Sequence, residues 1–141
     1  VLGKEKTEKS YAQLTDIQII NKVELEKTQT FVEEFLAKNN ITNQDIDAVI
    51  LGFSGDSESD VYFKNASELF PDSCLLYYKH LRWEFDTASD ISTFMACHIL
   101  RNQEMPEVMK INSVDKKDIK NILLYNHLGG NDHSLVLLEK A

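Results

Sequence analysis

Cysteine is nearly absent from this chain, with two in 141 residues. Cys74 and Cys97 fall in apolar stretches and read as small buried thiols, not as a disulfide framework or catalytic groups. No Cys or His pair has the spacing of metal ligands, so His80, His98, His127 and His133 do not read as a zinc site, and no metal or cofactor is expected. His98, inside an apolar helix, reads as a hydrogen-bonded core residue. No apolar run approaches the roughly 20 residues of a membrane span, and no signal-peptide pattern opens the chain, so no membrane span and a cytoplasmic location are expected. Basic residues are few, 15 against 23 acidic, and the net charge of −8 opposes a phosphate backbone, so nucleic acid is not an expected partner. An initiator Met is also missing, which suggests an excised piece or a trimmed tag.

What is present reads as one α/β domain, long enough to bury roughly two thirds of its unfolded surface. After a charged lead, Tyr11 to Ile20 is apolar and β-branched and reads as a first strand. Ala12 and Leu14 share one parity while Ile17 and Ile19 share the other, which predicts a bulge near Thr15-Asp16. Leu25, Thr28, Phe31, Val32, Phe35 and Leu36 recur at helical spacing, and Asn39-Asn40 ends that helix. Ala48 to Leu51 is a short apolar run typical of a strand covered on both faces. A helix over Asp60 to Phe70 and a strand over Cys74 to Tyr78 follow, joined by Pro71-Asp72. The third helix, about Ala88 to Asn102, opens on an approximate capping box, Thr87 to Asp90. It has no formally charged residue between Ile91 and Leu100, and a helix without a charged side needs cover all round. Gly129-Gly130 between two apolar runs closes the chain as a hairpin whose last strand should form an antiparallel sheet edge. The expected order is βαβαβαββ, five strands in a mixed sheet, four parallel and the last antiparallel, with three helices.

Two local motifs invite function and fail on spacing. Gly52-Phe53-Ser54-Gly55-Asp56 follows a strand, yet a nucleophile elbow needs Gly-x-Ser-x-Gly, so a structural turn is the better reading. Asp56, Glu58 and Asp60 occupy the first ligand positions of a calcium loop, but Val61 replaces its required Gly and Ser67 its final Glu. Acids before a helix are explained by capping and the helix dipole.

The landmarks resemble, in order and spacing, the C-terminal half of the β-ketoacyl synthases, condensing enzymes of fatty-acid and polyketide synthesis with the thiolase fold. Asn126, Gly129, Gly130 and Asn131 look like a shortened form of the family's Asn-Ser-Phe-Gly-Phe-Gly-Gly-x-Asn loop. Asp45 to Leu51 looks like the strand leading into its His-Gly-Thr-x-Thr loop, and Cys74 to Lys79 like the strand ending in its Lys-x-x-x-Gly-His segment. Ala88-Ser89-Asp90 resembles the Ala-Ala-Gly that opens the long helix. Leu100 to Pro106 resembles the Leu-Arg-x-x-x-x-Pro that ends it, and Val1 to Leu14 the junction between the halves. The resemblance implies that residues 1–10 join a missing N-terminal half and residues 11–141 form a thiolase-like half-domain.

The family's nucleophilic Cys lies in that other half, and its two activating His residues belong in this one. Here Gly52 stands at the first His position and Glu84 near the second, leaving only Lys79 of the set. A carboxylate repels the negative charge that neutral imidazoles stabilise, so no catalytic residue is expected in this chain. The implied role is a silent, chain-length-factor-like partner of an active condensing enzyme. One alternative is half of a working acyltransferase in which Lys79 with His80 or His127 supplies acid/base groups, and another is a stand-alone self-associating module. Implied partners are the N-terminal half or a ketosynthase subunit, and an acyl carrier protein, for which Lys110 to Lys120 is the candidate basic dock. A homo- or hetero-dimer is expected through Ile91, Phe94, Met95, His98 and Ile99, because the family packs the corresponding helices of its two halves together.

Overall fold

In the computed structural model the described residues are 3–81 and 88–141, with the side chains of residues 81, 88 and 89 also outside the description. Eight principal elements follow the expected order: β1 (Ala12–Lys22), α1 (Thr28–Lys38), β2 (Ala48–Leu51), α2 (Val61–Ser67), β3 (Cys74–Tyr77), α3 (Ala88–Asn102), β4 (Asn121–Leu128) and β5 (Asn131–Lys140). The five strands form one sheet in the order β1-β5-β4-β2-β3. β2 pairs parallel with β3 and β4, while β5 pairs antiparallel with both β4 and β1. Four strands therefore run one way and β5 runs against them.

The expected position of β5 needs correction, because it is an inner strand with β1 on its far side. β1 meets it antiparallel from Ala12↔Lys140 to Lys22↔Asn131. The cause is visible in Leu135-Val136-Leu137-Leu138, a continuous apolar run of the kind that suits a strand with covered faces. The register of β1 on β5 slips between Leu14 and Asp16, where the parity switch put a bulge. Leu14 stands opposite Leu138 and Ile17 opposite Val136, so the extra residue keeps Ala12, Leu14, Ile17 and Ile19 on one face of the sheet.

Strand alternation divides the core in two. Val49, Leu51, Leu123, Tyr125, Leu135 and Leu137 face α1 and α2, while Ala48, Ile50, Ile122, Leu124 and Leu138 face α3. On the first side α1 buries Phe31, Val32, Phe35 and Leu36, each worth roughly 1.5–3 kcal/mol against full exposure. The helix stops where Asn40 turns left-handed at φ 58°, and the Asn39 amide donates to the Phe35 carbonyl and to Asp16 on β1. On the second side α3 buries Ala96, Ile99 and Leu100. Thr87 of the expected capping box lies outside the described residues.

Candidate functional site

The carboxyl ends of the parallel strands β2, β3 and β4 meet at one end of the sheet, the position where open α/β sheets place their ligands. A cleft of ≈ 260 Å³ lies there. Gly52 comes to it from the end of β2, Lys79 from just beyond β3, and His127, Leu128 and Gly129 from the tip of β4. Ser54, Asp56, Ser59 and Phe63 come from the β2–α2 segment. Of the residues singled out in the sequence, Gly52, Ser54, Asp56, Lys79, His127 and Gly129 thus share one site, whereas Glu84 lies outside the described residues.

Gly52 is there because nothing larger fits. A Cβ on it would lie 3.0 Å from the Asn126 Cγ and 3.1 Å from the Phe63 ring, and it would collide outright with the Asn126 amide oxygen. Among the described residues that oxygen is buried without a hydrogen-bond partner. The position where the family resemblance calls for an imidazole is filled by the side chain of a neighbouring strand.

The hairpin tip carries a hydrogen-bonded chain. Gly129 and Gly130, at φ 53° and 79°, form a two-residue turn, so the expected loop is reduced to these glycines, with Asn126 in β4 and Asn131 in β5. The buried Tyr125 hydroxyl and His133 Nδ1 are 2.8 Å apart, and His133 Nε2 is 3.0 Å from the Gly130 carbonyl. That carbonyl can only accept, so His133 carries its proton on Nε2 and accepts the Tyr125 hydroxyl's hydrogen bond on Nδ1. The Gly130 N–H in turn donates to His127 Nδ1 at 3.1 Å, which places the His127 proton on Nε2. The His127 ring stacks on Phe63 at 4.1 Å, Tyr62 sits edge-on to both imidazoles, and the two imidazoles are 5.1 Å apart.

Burial, then the neighbouring His133 and the Lys79 ammonium, push the His127 pKa down to about 4, so the ring is neutral at physiological pH. The Ser59 carbonyl favours the protonated ring, but among the described residues no hydrogen bond of good geometry reaches Nε2. Burial likewise lowers His133 and raises the Tyr125 hydroxyl.

The other candidates serve structure. Ser54 donates its hydroxyl to Asp60, which also accepts the N–H groups of Ser54 and Gly55, so this one carboxylate holds the turn together. Asp56 accepts from the Glu58 N–H and the Ser59 hydroxyl, and these bonds hold its carboxyl below the ordinary range. His80 bonds the Val108 carbonyl through Nε2 and stacks on Tyr77, with no part in lining the cleft. Burial pushes both cysteine thiols up; Cys74 is buried as expected, whereas Cys97 is only half-buried. Two of the four lysines of the expected basic dock are paired, Lys110 with Glu107 and Asp115, and Lys120 with Asp118.

On α3, Phe94 is exposed, Ile91, Met95 and His98 are half-buried, and Ile99 is in the core. Ile99 therefore leaves the expected interface, since it falls on the side of the helix that covers the sheet. His98 is not a core residue; it lies between the Phe94 and Tyr11 rings.

No family model matches the sequence, nor does any curated protein. Solved structures do match the backbone. Over 98% of this chain and 14% of the other, it superposes on "PfaC Keto synthase-Chain length factor" at TM-score 0.75 and 17% identity. This is a thiolase-type fold. The same layer matches a chain of the AntDE:AntF structure, described as a type II polyketide synthase acyl-carrier protein in complex with its ketosynthase bound to the hexaketide. That match has TM-score 0.70 and 14% identity over 93% of this chain and 39% of the other. Human mitochondrial 3-ketoacyl-CoA thiolase follows at 0.51 and 10%, over 93% and 31%. The chain spans less than half of each of these thiolase-type proteins, and at such identities the likeness is one of fold.

Proposed function

We propose that this thiolase-type layer is the C-terminal half of a ketosynthase-like protein that performs no condensation itself and works beside an active condensing enzyme, as a chain length factor does. The observation that carries this reading is the sealing of Gly52 by Asn126. An imidazole cannot be restored there without expelling the amide. The opposed charge of Glu84 near the second His position acts in the same direction. In this role the chain contributes shape, closing a neighbouring acyl tunnel and completing an interface. The test is to mix the chain with a condensing enzyme and its carrier proteins. The product chain-length distribution should shift, and Phe94→Glu should abolish the shift. An unchanged distribution under conditions where the two proteins bind would refute the role.

One observation favours a second reading, half of an active acyltransferase. Lys79 and a neutral His127 line the same cleft, and a neutral imidazole N–H is the kind of donor that stabilises an oxyanion. Under that reading the nucleophilic Cys comes from the N-terminal half, and Lys79→Ala and His127→Ala abolish activity of the whole protein.

A further inference from the structure

The sheet protects one of its edges and leaves the other bare. At the short edge strand β3 the Ile111 N–H donates to the Leu75 carbonyl at 2.8 Å, while the Asn112 side chain accepts the Leu75 N–H at 3.0 Å and donates to the Ser73 carbonyl at 2.9 Å. At the opposite edge β1 runs for 11 residues with no Pro or Gly, and among the described residues no segment pairs with its outer side. Strand alternation fixes which main-chain groups face out. The Tyr125 carbonyl accepts from Gly52 at the end of β2, so Leu124 and Asn126 turn their main-chain groups to β5, where they meet Val136 and Ser134. Leu135 and His133 therefore face β1 and hold Gln18 and Ile20, and the N–H and C=O groups of Ile17, Ile19 and Asn21 point away from the sheet. In agreement, the Ile17 N–H is taken by the neighbouring Asp16 carboxylate at 2.9 Å. Ile17 and Ile19 are also 48% and 70% exposed, and a long apolar edge is a template for another strand.

We propose that the outer edge of β1 pairs antiparallel with β1 of a second copy, about a twofold axis at Ile19 perpendicular to the sheet. The Ile19 N–H of each copy then donates to the Ile19 carbonyl of the other, and each Asn21 N–H to the Ile17 carbonyl of the other. Neither bond calls on the Ile17 N–H that Asp16 already holds. An isologous contact must be self-complementary, and this one is: it brings Asp16 of each copy opposite Lys22 of the other, in the closer, non-hydrogen-bonded kind of pair on the α1 side of the sheet. Other centres fail. An axis at Ile17 or Gln18 needs the Ile17 N–H, and one at Ile20 sets Asp16 against Glu24. Asp16 and Lys22 are the only charged residues in the strand, so this edge is balanced on a chain of net charge −8, whose copies repel wherever acidic surfaces meet. Asp16 already pairs with Lys38 at 2.7 Å, and a carboxylate has acceptor sites to spare for a second ammonium. At the axis Ile19 packs on its own copy, a β-branched cross-strand pair. The pairing extends the sheet past β1 and leaves the outer face of α3 to the partner proposed above, so it goes beyond that reading and does not rest on it.

Sedimentation equilibrium measures the mass, and amide hydrogen exchange read by NMR at rising protein concentration measures the register. The mass is expected to rise from 16.2 kDa to twice that value, with the Ile19 and Asn21 amides gaining protection as it does and the Ile17 amide unchanged. Ile19→Pro removes an outward N–H that β5 does not use, so it should give monomer with an unchanged circular dichroism spectrum. Ile19→Lys sets two ammonium groups at the axis without altering the backbone, and it should do the same even if the proline variant fails to fold. Lys22→Glu should weaken the dimer about tenfold, because it places like charges together twice. Phe94→Glu, on α3, should leave the dimer intact. A wild type that stays monomeric at NMR concentrations, a dimer whose Ile19 and Asn21 amides exchange as in the monomer, or a dimer that survives Ile19→Lys or is lost in Phe94→Glu would each overturn the proposal.

Discussion

The amide of Asn126 occupies the space that a Cβ on Gly52 would need, with its Cγ 3.0 Å from that point. Gly52→Ala is therefore expected to destabilise the fold by about 1–3 kcal/mol, the usual cost of overpacking a filled site. Asn126→Ala removes a buried acceptor that has no partner among the described residues, so it should cost little, and Gly52→Ala with Asn126→Ala should recover part of the loss. Urea unfolding of the three variants measures this. A fully tolerated Gly52→Ala would mean that the amide moves freely and the position is open.

The turn that links β4 to β5 makes the next prediction. Gly129 has open space around it, while a Cβ on Gly130 would meet the Tyr62 ring at 3.2 Å, and both have positive φ. Gly129→Asn should stay within about 0.5 kcal/mol of wild type, since Asn-Gly suits this turn, whereas Gly130→Ala should cost about 1–2 kcal/mol. Thermal unfolding distinguishes them, and equal effects would contradict the turn geometry.

Stability should also fall with acid in a defined window. His127 binds its proton near pH 4 when folded and near its ordinary 6.5 when unfolded. Between these values the unfolded chain holds the extra proton, so stability is full above about pH 7 and declines as pH drops from 6.5 towards 4. Burial of His133 acts in the same direction. The groups facing His127 are His133 and Lys79, which disfavour its charge, and Asp60, which favours it. Asp45 and Asp56, held below their ordinary 3.8, contribute only at lower pH. A loss on the order of 2 kcal/mol is expected across the window, and less in His127→Gln. Denaturation at pH 7, 5.5 and 4.5 would contradict this if the wild type showed no decline.

Much of this was legible in the sequence, where local signals were strong. The 3.6-residue spacing marked α1, and the uncharged stretch from Ile91 to Leu100 marked α3. The parity switch around Thr15 located the bulge. The inner position of β5 was harder, because its second neighbour, β1, lies at the other end of the chain and no local pattern encodes that pairing. Even so, Leu135 to Leu138 has the same doubly apolar pattern that identified β2 as a covered strand. The Tyr125–His133–Gly130–His127 chain was half legible: Tyr125 and His127 share strand parity, and the hairpin brings His133 to the same face. The aromatic cover from Tyr62 and Phe63 depends on how α2 packs, and the sealing of Gly52 on the end register of two strands. Neither has a sequence signature. The inward turn of Ile99 follows from its place three residues after Ala96 and one before Leu100, on the buried side of α3.

Catalytic silence is the central claim, and release of carbon dioxide from malonyl carrier protein by the purified chain tests it most directly. The account predicts release no faster than the buffer control, and the same for Lys79→Ala and His127→Ala. Release above that control, lost in either variant, would contradict it and assign working chemistry to the cleft.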